Sequence, residues 1–154
     1  MTRSERRNQP AIGYRSQGFM GVSMSGRILN LLLWAGVAYF CCMAVAHFFG
    51  IKVPILFVYY DTPYYAYQDK IISFAVVAYI CLFASAARSG EVLFALVAIW
   101  VTVLGLCAVN VSDALQTVLS GKSTLPYWLQ TAAIAAYALC LTIFARQPRS
   151  LSAH

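Results

Sequence analysis

The residues best suited to chemistry gather in one part of the chain. His47, Asp61, Gln68 and Asp69 fall within a stretch that also holds Tyr59, Tyr60, Tyr64, Tyr65 and Tyr67, and Asp113 follows further along. An aspartyl membrane hydrolase needs two carboxylates sharing one site, and Asp61 or Asp69 with Asp113 are the candidate pairs. No nucleophile or protease signature surrounds them, and no Ser, His and Asp set stands at a plausible spacing, so no catalytic residue is assigned. Met43 and His47, four apart on one helical face beside Cys41 and Cys42, have the types of a soft-metal site. Adjacent cysteines point about 100° apart on a helix, however, and no second His-rich segment completes a ligand shell. No metal or other cofactor is expected. Gly121-Lys122-Ser123 imitates the end of a phosphate loop, but residue 116 is Gln where that motif requires Gly. Asn110-Val111-Ser112 matches a glycosylation sequon that abuts the bilayer and matters only in a eukaryotic secretory setting.

The elements that carry these residues follow from composition. Of 154 residues, 61% are hydrophobic and only 10% charged, far below the roughly one quarter charged in soluble domains. Four apolar runs, 28–49, 71–87, 92–109 and 127–145, each approach the roughly 20 residues that carry a helix across about 30 Å of hydrocarbon. Every backbone donor and acceptor in lipid needs an internal partner, and four short segments cannot close a barrel. The expected fold is an all-α integral membrane protein: an antiparallel bundle of four transmembrane helices, with an ordered Tyr-rich outer loop between the first two.

Charge sorts the flanks. Arg3, Arg6, Arg7, Arg15 and Arg27 precede the first run, Arg88 lies between the second and third, and Arg146 and Arg149 follow the fourth. Lys52, Lys70 and Lys122 fall in the two remaining connections. Eight arginines on one side against three lysines on the other is a positive-inside pattern. Both termini are thus expected in the cytoplasm, in a bacterial cytoplasmic (inner) membrane. The net charge of +6 then reports topology, and nucleic acid is not an expected partner. Residues 1–24 form a basic tail expected to be disordered, with no apolar core for a cleavable signal segment. Residues 25–146 form the membrane domain and 147–154 a short second tail.

Within the spans, the five cysteines Cys41, Cys42, Cys81, Cys107 and Cys140 read as small buried apolar side chains. Helices in lipid gain little from burying apolar surface, so small residues that permit close approach matter more. Helix packing is therefore expected through Ala95, Ala98, Thr102 and Gly105 on one span and Ala132, Ala135 and Ala136 on another, meeting in the interior. Arg88-Ser89-Gly90-Glu91 is a turn short enough to make its two helices neighbours. The periodicity of Val111, Ala114, Leu115, Val118 and Leu119 extends the third helix past the membrane.

The connection from Gly50 to Asp69 carries five tyrosines and two prolines. It is too apolar for an ordinary solvated loop, and long loops in compact proteins are often functional. As a belt, its tyrosines place rings in the apolar layer and hydroxyls at headgroups. As a pocket or partner surface, they combine with His47, Asp61, Gln68, Asp69 and Asp113. Thr102, Gln130 and Thr142 are the main polar residues within the spans, too few for an evident ion or solute path. The expected role is a small accessory or scaffold protein that contacts the lipid bilayer and binds another membrane protein or itself. The alternatives are a binder of an apolar molecule such as lipid or quinone, and an outer-leaflet enzyme.

Overall fold

The computed structural model describes residues 24–51, 53, 56 and 65–147, without the side chains of 65 and 66. Residues 1–23 and 148–154 of the two tails and the part of the Tyr-rich connection holding Tyr59, Tyr60, Asp61 and Tyr64 lie outside the described residues. What is described is helical: α1 Met24–Phe49, α2 Tyr65–Ser89, α3 Leu93–Asn110, α4 Asp113–Leu119 and α5 Leu125–Arg146. The four long helices are long and apolar enough to cross a membrane. Their 18 to 26 residues correspond to about 27 to 39 Å of rise, against about 30 Å of hydrocarbon.

The termini of these helices have local causes. α1 and α2 stop at Gly50 and Gly90, with φ of 69° and 78°, a left-handed conformation that glycine adopts without a Cβ penalty. α5 begins with Pro126 in its first turn, where no N–H is missed. The expected continuation of α3 is interrupted instead. Ser112 is extended, and its Oγ accepts from Leu115 N at 3.3 Å, capping α4 as a separate helix. A side chain that offers the backbone an alternative partner ends one helix and starts another without disturbing the apolar period. Leu115 and Leu119 are still buried.

Helix order around the core is α1, α2, α3, α5, with α1 and α2 sharing the most extensive contact. The contacts between α1 and α2 run in opposite order along the two helices. His47 meets Asp69, Phe40 meets Tyr79 and Phe83, and Trp34 meets Arg88. On α3 and α5, Trp100 meets Thr142 and Asn110 meets Thr131. The centre is filled by aromatic rings: Phe40 and Phe83 at 5.2 Å, Phe40 and Tyr79 at 5.0 Å, and Phe83 stacked on Tyr137 at 6.3 Å.

Small residues are distributed differently from the sequence expectation. Ala95 and Ala138 are buried and Ala98, Thr102 and Ala135 half-buried, while Gly105, Ala132 and Ala136 face outward. The helix rotations that bury Phe83, Ile99 and Leu141 turn part of each small-residue stripe away from the core. Of the cysteines, only Cys107 is half-buried; the other four lie on the bundle exterior, because the larger aromatic and aliphatic side chains occupy the interior.

The close approach is made at Gly36. A Cβ there would lie 2.6 Å from Phe83 Cδ1 and would overlap the Tyr137 hydroxyl. Helical side chains tilt toward the N-terminus and cover the preceding turn. The bare Gly36 therefore leaves the carbonyl of Leu32 open, and Tyr137 donates to it at 2.8 Å. Gly36→Ala is expected to lower stability in detergent by about 1 to 3 kcal/mol through overpacking. Gly105→Ala, with open space around its position, should not lower it. Thermal unfolding of both variants checks this, and equal losses would contradict the assignment.

Candidate functional site

Among the described residues, six buried side chains are polar: His47, Asp69, Ser73, Asn110, Gln130 and Thr131. All six lie at the bundle end that carries the lysine-bearing connections: the last turn of α1, the first turns of α2, the last residue of α3 and the early turns of α5. Helical period places them there. Leu29, Leu33, Gly36, Phe40 and His47 form the buried stripe of α1, and Asp69, Ser73, Val76, Phe83 and Ala86 that of α2. Spacings of three, four and seven keep each stripe on one face, so His47 and Asp69 are delivered to the helix interface in register with the core.

His47 Nδ1 and Asp69 Oδ1 are 3.0 Å apart, with side chains only 8% and 7% exposed. The carboxylate is an acceptor and orients the imidazole, the arrangement by which a carboxylate fixes a histidine for proton transfer or ligand binding. Asp69 Oδ2 is buried and has no hydrogen-bond partner among the described residues. Leaving a buried acceptor unsatisfied is costly. Ser73, one turn further along the same face, is also buried. Its hydroxyl donates to the Lys70 carbonyl at 2.6 Å, so its proton is committed to the helix backbone and these three residues do not form a nucleophilic triad.

Across the bundle, Asn110 Nδ2 donates to Thr131 Oγ1 at 2.9 Å, and the Thr131 hydroxyl donates to Tyr127 O at 2.9 Å. Gln130 Nε2 and the Tyr39 hydroxyl both donate to the Leu56 carbonyl, each at 3.1 Å. One residue of the α1–α2 connection is thereby tied to α1 and α5.

Of the residues singled out from sequence, the structure joins His47 and Asp69. Tyr67 and Gln68 are exposed on the first turn of α2. Tyr65 belongs to α2, but its side chain lies outside the description, as do Tyr59, Tyr60, Asp61 and Tyr64. Asp113 is exposed in the first turn of α4 and shares no hydrogen bond with Asp69. Among the described residues, no three of His, Cys, Asp and Glu come together as a metal-binding group. Sequence reasoning missed Ser73, Asn110, Thr131 and Tyr39. The available signal was register: Asp69 and Ser73 continue the spacing of Val76 and Phe83, and Thr131 lies seven residues before Ala138, which has no exposed surface.

Four apolar helices of spanning length, with a polar layer confined to one end, define the class as a helical multi-pass membrane protein. No family model, curated protein or solved structure matches the chain.

The His47–Asp69 pair generates a sharp energetic expectation. Removing one member of a buried pair leaves an uncompensated polar group and costs about 3 to 5 kcal/mol, whereas replacing both with apolar residues is often neutral. His47→Leu should therefore destabilise the protein strongly in detergent, and His47→Leu combined with Asp69→Leu should recover most of the loss. Additive losses in this double-mutant cycle would show that the two side chains are not coupled.

Proposed function

We propose that the protein is a small accessory or scaffold component of a membrane assembly, working through its lysine-bearing end. In this reading the four spans form an antiparallel bundle in a bacterial cytoplasmic membrane, with the arginine-bearing flanks in the cytoplasm. The Tyr-rich connection lies outside and meets another membrane protein or a second copy.

The observation that carries the reading is how the interior polar groups are used. The Asn110–Thr131 bond, the His47–Asp69 pair and the bonds of Tyr39 and Gln130 to Leu56 hold helix ends and connection to one another. With the bundle centre filled by Phe40, Tyr79, Phe83 and Tyr137, this supports a stiff platform that presents a surface. Preorganised surfaces lose less entropy on binding.

A second reading, a ligand site or outer-leaflet enzyme, is favoured by one observation. Asp69 Oδ2 is a buried acceptor without a described donor, and a hydroxyl or amino group of a bound molecule would satisfy it.

Extraction of the full chain into native nanodiscs, followed by mass measurement, tests the first reading. A particle holding more than one 17.0 kDa chain, or one chain with a stoichiometric membrane protein, is expected. A cross-linker at Tyr67, which is exposed, should join the components. A lone chain bearing a stoichiometric small molecule that Asp69→Asn releases and Arg88→Gln does not would overturn the scaffold in favour of the second reading.

A further inference from the structure

We propose that a groove on α2 at the arginine-bearing end binds one anionic phospholipid from the leaflet on that side. The groove is shallow and open on its outer side, and it is lined by Ile80, Cys81, Ala84, Ser85, Arg88 and Ser89. The inference rests on the membrane-spanning reading of α2 and is independent of the scaffold role.

Residues 80, 84 and 88 form one helical ridge and 81, 85 and 89 the next, over about 13 Å of rise. Small side chains in the middle of both ridges leave a furrow between them, apolar toward the bilayer centre at Ile80, Cys81 and Ala84. The polar groups stand at the other end, in the last turn before Gly90, where a helix meets the headgroup layer. An acyl chain and a headgroup have that same division and order.

Arg88 supplies the charge. It is exposed, and among the described residues it makes no ion pair. Its guanidinium lies 6.0 Å from the ring centroid of Trp34 on α1, close enough for a cation–π contact that holds the planar fork in place. Such a fork matches two phosphate oxygens at once, which an ammonium cannot do. Ser89 adds a donor: its Oγ accepts from Glu91 N at 3.1 Å, which leaves the hydroxyl hydrogen for a phosphate oxygen. The stoichiometry of charge selects the ligand. One guanidinium without an ion-pair partner among the described residues is neutralised by a single phosphodiester whose headgroup brings no cation of its own, and Glu91 on the adjoining turn disfavours a polyphosphorylated headgroup.

The test is native mass spectrometry of the full chain in detergent, titrated with phosphatidylglycerol or phosphatidylcholine of equal chain length. Phosphatidylglycerol should be retained preferentially. Arg88→Gln should weaken its retention by more than the roughly fivefold that any one cation near an anionic surface contributes, while Arg27→Gln stays within that factor. Arg88→Lys should fall between wild type and Arg88→Gln. Ser85→Leu, at an exposed position, should fill the furrow and lower retention without lowering the unfolding temperature. Soluble glycerol phosphate should not compete, because it lacks the chain that occupies the furrow. Retention by Arg88→Gln equal to wild type, equal retention of the two lipids, competition by glycerol phosphate, or a dimer that Ser85→Leu abolishes would each overturn the proposal. A lone chain in nanodiscs that still retained phosphatidylglycerol through Arg88 would sink the scaffold and leave this site standing.

Discussion

Hydrocarbon offers no partner to a polar group, so each hydroxyl, amide and ring N–H inside a spanning bundle must be satisfied by the protein. Here that constraint closes the bundle. Every seam between neighbouring long helices contains a hydrogen bond: His47–Asp69 between α1 and α2, Tyr79–Thr102 between α2 and α3, Trp100–Thr142 and Asn110–Thr131 between α3 and α5, and Tyr137 to Leu32 O between α5 and α1. Each such bond contributes only about 0.6 kcal/mol on average in a membrane. Their joint effect is to select one rotation for each helix. Threonine makes the scheme work. Thr102, Thr131 and Thr142 each donate their hydroxyl hydrogen to the carbonyl four residues earlier, which leaves the oxygen to accept from the next helix. The proton assignment at Tyr79–Thr102 follows, with Tyr79 as donor.

The same constraint explains the asymmetry between the two ends. The arginine-bearing end keeps its charges exposed, with Arg27, Arg88 and Arg146 all at the surface. The opposite end draws six polar side chains inward; five of them tie helix ends and Leu56 together, and Ser73 bonds within its own helix. A buried ion-capable pair is weak evidence for stability, because desolvation offsets much of the attraction. In the reading proposed here, His47 and Asp69 instead fix how the first two helices meet beneath the connection.

Much of this was legible in the sequence, and the reasons for the rest are physical. Four spanning helices follow from apolar length, because lipid makes composition decisive. The link between His47 and the Asp69 region was visible as proximity across one connection, but the pairing itself depends on register, which emerges only when Asp69 and Ser73 are read as part of the helix and not of the loop. Helix rotation was not legible. The alanines of α5 lie on several faces, and Tyr137 decides which face turns inward by reaching a carbonyl that Gly36 leaves bare. The break at Ser112 was likewise hidden, since Leu115 and Leu119 keep the helical period on both sides of it.

In the proposed topology the two ends of the bundle lie on opposite sides of a membrane, with the inward-drawn polar layer at the end opposite the arginines. In a cysteine-free background, Lys122→Cys, Glu91→Cys and Gln147→Cys place single thiols at three exposed positions. An impermeant maleimide applied to intact cells should label position 122 at once, and positions 91 and 147 only after permeabilisation. Labelling of 91 and 122 from the same side would contradict this topology.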